Sequence, residues 1–441
     1  MVRAGIGRSG TEPVVGSITG RSEAIAGGSV EVRAQSRAEA RSEVMAAAAA
    51  FGLVAAAAAG TVAHNQLAPV VDAFIDHAEV EAGLAGEVVV SATGLQQAYA
   101  KSAALSVSSG VSVGVSEVGN TDLGRIRAWL GDEVLMSAPV LRILADASDE
   151  VLQRATASSG GLFAGVAGAY SKLEILGETR AAIGDRAQLE LGTLQIQAKR
   201  QQDFDATAHN LAIGLFAGSG AASIITVAGT SDVVIGADNQ ILAHDDILIE
   251  ASNDALKRHY ASSEETLYSA SAGAIGVDML ASKVDIGSAQ RKFGATVGIG
   301  QGSELVVASA VNDAARFDIV TRAGVQAIDR VKVDGIAGLK LTTATSELDV
   351  QSVSNISARG ATLRNLSGDL VLQTSTNARI DTSADTVTLA GIGGANANAL
   401  GTAAIGVLST DQAVALNSAH LAALSTAQVA ALSANAVAAL D

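Results

Sequence analysis

Residues 141–148 read LRILADAS, with Leu141, Ile143, Ala145 and Ala147 at alternate positions and Arg142, Asp146 and Ser148 among the residues between them. Strict period-two alternation of this kind marks a half-buried strand. The pattern returns along the chain as VEVRAQS at 30–36, VVVSAT at 88–93, LQIQAK at 194–199 and ILIEAS at 247–252. A turn residue usually precedes it: Gly28, Gly86, Gly192 or Asp246.

Upstream of each strand lies a short motif, A/V-x-I/L-G/D. Its copies are AGIG at 4–7, AFID at 73–76, AWLG at 128–131, AAIG at 181–184 and VVIG at 233–236, with GIG at 298–300. The apolar third positions are Ile6, Ile75, Leu130, Ile183, Ile235 and Ile299, spaced by 69, 55, 53, 52 and 64 residues. Downstream, small and polar residues alternate, as in Ala38, Ala40, Ser42 and Val44. A Gly/Ala-rich apolar stretch follows, such as SGVSVGVSEV from Ser109 or LAIGLFAGSGAASI from Leu211. Self-similarity at such a period signals a repeat architecture. RSEVMAAAAA and DEVLQRA are rich in helix formers, but propensity is a weak prior, and the phase shared between copies favours strands.

A unit near fifty-five residues suits about three coils of a β-helix. In that architecture each strand pairs in parallel with its neighbour, and no repeat buries its face alone. The expected fold is therefore all-β: an elongated β-solenoid, or β-helix. The expected organisation is a repeat region over 1–334, looser coils over 335–390, a Gly/Asn/Ala linker over 391–404 and a tail over 405–441. In the tail Leu408, Leu416, Leu424, Leu432 and Leu440 recur every eight residues. Ser409 with Gln412, and Ser425 with Gln428, resemble capping boxes, so the tail is expected to be a short Ala-rich helical repeat.

Composition fits. Hydrophobic residues make up 49% of the 441-residue chain but aromatics only 3%, so its cores are filled by Ala, Val, Ile and Leu. The net charge of −16 argues against nucleic acid and anionic lipid surfaces, which require basic patches. Zero Cys excludes disulfides, thiolate metal sites and cysteine nucleophiles. Met1 is not followed by a signal-peptide pattern. MAAAAAFGLVAAAAAGTVA at 45–63 has the length of a membrane span, yet it falls in repeat phase with the other small-residue segments.

The A-x-I-G, I-x-I-x-A and Gly/Ala-rich elements resemble the repeat regions of filamentous-haemagglutinin-like and leukotoxin-type filamentous adhesins of Gram-negative bacteria, over roughly 1–330. The LSTAQVAAL units resemble repeat tails of similar giant bacterial proteins. The resemblance implies a right-handed parallel β-helix, display on the bacterial outer surface or secretion, and adhesion to host or neighbouring cells or matrix. The family's export signal and amino-terminal secretion domain are not in this sequence. The first motif opens at Ala4 and the tail stops in phase at Asp441, so both ends read as interior cuts or as surfaces that stack on another copy.

No chemistry stands out from the repeats. The six histidines, His64, His77, His209, His244, His259 and His420, lack metal-ligand spacing and are expected in solvent-facing turns. GVSVG at 110–114 has the G-x-S-x-G form, but Ser112 lies in an alternating strand and not at a strand-to-helix elbow. GIGQGS at 298–303 lacks the phosphate-loop spacing. Asp203 with Asp205, and Asp245 with Asp246, are read as solvated turn acids, with calcium at the coil turns as the rival reading; Asp245, Asp246 and Arg258 are the residues a polysaccharide-cleaving site would use. Trp129 stands where other copies carry Phe74, Ala182 or Val234, which points to an outward or loosely packed position. The expectation is a non-enzymatic structural and adhesive segment with no catalytic, metal or cofactor site. Its partners would be cell-surface or matrix molecules or copies of itself, without nucleic acid or a membrane span. The alternatives are a self-assembling fibre or surface-layer subunit, and a β-helix enzyme acting on polysaccharide.

Overall fold

The computed structural model describes residues 1–7, 22–52, 55–257, 265–309 and 314–390. The described chain is all-β, and its strands pair in parallel. No described segment is helical: 45–50 lie in the strand Val30–Ala50 and 56–63 in the strand Ala56–Leu67, and no described helix is long and apolar enough to cross a membrane. The linker at 391–404 and the tail at 405–441 lie outside the described residues.

Register decides the architecture. Ile6 pairs with Ile75, Ile75 with Leu130, Leu130 with Ile183, Ile183 with Ile235 and Ile235 with Ile299, so the motif spacing is the pairing offset itself. The alternating strands obey the same rule: Val30, Val88, Leu141, Leu194, Ile247, Phe317 and Leu370 form one column. Each repeat therefore makes a single circuit, and the expectation of about three coils per repeat is overturned. Three coils per repeat would require short strands, whereas Leu135–Gly161 runs for 27 residues and Phe317–Val350 for 34, so one circuit consumes the whole unit.

A circuit begins with a short strand such as Arg125–Leu130, one of seven in a sheet of their own. It turns a corner and enters Leu135–Gly161, which bends where Pro139 removes a backbone donor. From there the strand runs outward, doubles back at Leu162 and Phe163, and returns as Ala164–Ile175. The outward run of about 22 residues spans roughly 70 Å, whereas seven stacked strands rise only about 29 Å at ~4.8 Å per step. The result is a blade, broader than it is tall. The seventh circuit keeps the register of the others, and the boundary expected at Gly335 falls inside the strand Phe317–Val350.

The core tapers along the blade. At the corner end the inward positions are large and branched, for example Leu141, Ile143, Leu130 and Ile183. Midway lie Val151, Leu173, Ile175 and Phe204. Beyond them Ala155, Ala157, Ala167 and Ala169 take over. There the two layers come closer than the ~10 Å usual for packed sheets: the Ser106 hydroxyl donates to the Ala57 carbonyl at 2.9 Å, across the blade. A Cβ on Gly114 would lie 2.7 Å from the Ser158 carbonyl.

The glycine of the A-x-I-G motif, and the Asp that follows it in the copies at 128–131 and 181–184, are explained at the corner. The carboxylate of one circuit caps the next: Asp132 accepts from the Asp185 amide at 2.8 Å, and Asp185 from the Ala237 amide at 2.7 Å. That carboxylate occupies the space of a missing side chain, since a Cβ on Gly184 would sit 2.5 Å from Asp132 Oδ1 and 2.6 Å from the Gly131 carbonyl carbon. Just beyond, His77, Glu133, Arg186, Asp238, Gly302 and Gly360 all adopt left-handed backbone, one per circuit. We predict that Gly184→Ala lowers stability by about 1–3 kcal/mol through overpacking. Gly298→Ala, which meets no heavy atom within 4 Å, should change it little. Urea midpoints of the two variants check this.

Candidate functional site

The blade's outer edge inverts the usual pattern. Continuing the alternation outward from Val88 and Val90 brings Ser102, Ser106 and Ser108 inside, with Leu105 and Val107 outside. After the turn, Ser112 and Ser116 are buried while Val111 and Val115 are 44% and 49% exposed. Later circuits repeat this with Leu162 and Phe163, Leu215 and Phe216, Ile275 and Met279, then Leu339 and Leu341. The edge thus carries apolar side chains on both faces and around the tip. Monomeric surfaces rarely expose contiguous apolar patches of this extent unless they bind something.

The interior beneath the edge is held by hydroxyls and ions. Ser116 donates to Ser102 at 2.9 Å and Ser102 to Thr61 at 2.7 Å. Further along, Asp278 receives Lys340 and Ser271, both at 2.8 Å, and Ser219, with the Lys340–Asp278 pair fully buried. Lys257 lies 3.3 Å from Asp329 and 3.7 Å from Asp205, again without solvent. Midway down the blade Arg200 contacts Asp149 at 2.5 Å and Asp122 at 3.7 Å. A side chain on Gly177 would strike the Arg200 guanidinium, so glycine there leaves it room. Lone buried charges are costly, and a buried pair is retained only where partners compensate. Each pair also penalises a slip of the layers, because a shift of one residue would move the charge from inside to outside.

The strand face beside the corner holds an open groove of about 620 Å³. Glu79, Glu81, Glu190 and Glu304 line it with Leu135 and Gln188. No described group of three or more His, Cys, Asp or Glu side chains has metal-holding geometry.

The residues singled out from sequence are dispersed. His64 is exposed beside Glu117, and His77 contacts Asp76 at 2.8 Å in the corner turn. His244 lies at a strand end near Glu190. His209 departs from the expectation of a solvent-facing turn: it sits in the strand Gln188–Ile213, where burial and the neighbouring Arg154 lower its pKa. His259, His420 and Arg258 lie outside the described residues. Ser112 is fully buried in its strand, so the elbow geometry is absent there. The 298–303 segment forms a corner turn in which Ser303 accepts from the Asn239 amide and donates to the Gly236 carbonyl. Asp203 and Asp205 are strand residues and not turn acids, with Asp205 fully buried; Asp246 caps the Arg316 amide at 2.7 Å. Trp129 points outward, half-buried, and stacks on Phe74 with centroids 4.9 Å apart. The buried cations belong to no sequence motif, although Arg200 occupies the inward phase of LQIQAKRQQDF.

Among known proteins, a family model described as the ALTTAQ repeat matches residues 397–426. No curated protein and no solved structure matches the chain.

Burial gives the blade a pH response. Withdrawal from water, reinforced by Asp122, pushes the Asp149 carboxyl up to about 8; Arg200 opposes this but does not outweigh it. An acid whose pKa is raised on folding adds stability below its unfolded pKa, and that stability is lost as pH rises through the folded value. The urea midpoint should therefore fall between pH 5 and pH 9. Asp149→Asn, which cannot titrate, should flatten that dependence.

Proposed function

We propose that the chain is a segment of a β-solenoid within a large bacterial surface or secreted adhesin, acting through its surfaces and not through catalysis. Register carries this reading: in the described residues seven circuits stack column upon column, and the repeats present broad faces and an apolar edge. In such stacks each repeat is stabilised by its neighbours, so length is extended simply by adding units. The broad blade multiplies the surface offered per unit of height. The resemblance to filamentous-haemagglutinin-like repeats supports a right-handed winding and an extracellular or outer-surface location. The acidic balance agrees with a partner other than nucleic acid. We expect the purified chain to bind saturably to cells or to matrix-coated surfaces and to show no turnover on a panel of polysaccharides. Turnover that disappears in Asp245→Asn would contradict the reading.

A further inference from the structure

The apolar edge differs from a protein-docking face in four respects. First, its larger apolar side chains point outward and its inward positions hold small residues, Ala, Gly and Ser, with Val107 and Val111 outside and Ser108 and Ser112 inside. That is the pattern of strands surrounded by hydrocarbon and is the reverse of a water-soluble layer. Second, between circuits its tip backbone is paired without water. Tip amides donate to the neighbouring circuit: Ser109 to Ala50, Phe163 to Gly110, Phe216 to Phe163 and Ile275 to Leu215. Within lipid every backbone polar group must find such an internal partner.

Third, the shape is a wedge. Both faces and the tip are apolar, so a second convex copy could cover one face only, whereas a fluid medium covers all three. Fourth, the apolar zone ends in amphipathic side chains. Moving back from the tip, Ala103 gives way to Lys101 and Tyr99, Gly168 to Tyr170 and Lys172, and Ala270 to Tyr268. Tyr and Lys collect where hydrocarbon meets headgroups, with the ring or stem in the apolar layer and the polar end in water.

We propose that this edge is a lipid-inserting wedge that enters one leaflet of a phospholipid bilayer, with Tyr99, Tyr170 and Tyr268 at headgroup level. Two to three outward positions on each side give an insertion depth of about 13–20 Å at ~3.3 Å per residue. One leaflet contributes about half of a ~30 Å hydrocarbon layer. Thr156 and Ser158 on the third circuit, and Asp334 stacked on Ala270 and paired with Lys332 on the sixth, make those stretches of one face less apolar and set the shallower limit. Glu43, Glu117 and Glu347 share the belt with the lysines, and the chain is acidic, so neutral phosphatidylcholine is the matching headgroup. The inference deepens the adhesive reading by naming what this edge adheres to.

The test uses the full chain with phosphatidylcholine vesicles. The chain should float with the vesicles, and it should still do so at high salt. A Leu162→Trp reporter should be quenched by lipids brominated in their acyl chains. Phe163→Asp with Phe216→Asp, both at exposed positions, should weaken partitioning at least tenfold while the β-type circular dichroism is kept. Leu84→Asp, fully exposed at the far end of the circuit, should leave it unchanged. A chain that does not float, or a reporter that is not quenched, overturns the wedge. So does a chain that self-associates without floating and is dispersed by the Phe163/Phe216 pair, because the edge then belongs to a second copy. Saturable adhesion to cells or matrix persisting after any of these outcomes separates failure of the wedge from failure of the adhesive reading.

Discussion

Everything in this molecule follows from one constraint: each strand takes its hydrogen-bond partners from the same strand one repeat earlier and one repeat later. With the offset equal to the repeat, like residues stack on like in columns of up to seven. Neighbours about 4.8 Å apart in a column touch directly, which favours side chains of similar size at the inward positions near the corner. One such column runs through Ala34, Ala92, Ala145, Ala198 and Ala251 and continues as Thr321 and Thr374. The Asp–Gly corner shows it again, since the carboxylate of one circuit fills the space vacated by the glycine of the next.

A circuit of more than fifty residues cannot enclose a round core with so few aromatics, so it collapses into two layers. The layers converge as the inward residues shrink from Leu and Ile to Ala, Ser and Gly. Small inward residues bury little apolar area, and at ~25 cal/mol per Å² they contribute little hydrophobic stabilisation. Hydroxyl ladders and the buried Arg200, Lys257 and Lys340 pairs act in that region instead, and they bind the layers in one register. Apolar groups that such a thin interior cannot hold are displayed outside, at the edge.

The phase of the fold was legible in the sequence. The third positions of A-x-I-G and the first residues of I-x-I-x-A are the columns of the structure, residue for residue. The helix-forming run RSEVMAAAAA lies in a strand because its neighbours on the next circuit, Tyr99 to Ser108, fix its backbone. Circuit size was not read, because period alone does not say how often the chain turns within a repeat. The signal was present in 140–161, which alternates without a breaker for far longer than an ordinary strand. The inverted edge was hidden for a related reason: SGVSVGVSEV alternates equally well with Ser or Val inside. Only continuing the phase from Val88 shows that serine faces inward. Buried cations likewise become visible only once inward and outward are assigned.

One repeat per circuit is the claim on which the rest stands, and the absence of native Cys makes it directly testable. Gln197 and Glu250 face each other on successive circuits, at a Cα separation compatible with a disulfide. Mild oxidation of the Gln197→Cys/Glu250→Cys chain should form that bond in high yield, read by altered gel mobility and mass. The Gln197→Cys/Leu215→Cys chain, with its cysteines about a third of a repeat apart, should stay reduced. Cross-linking of the second pair and not the first would mean several coils per repeat and would contradict the account.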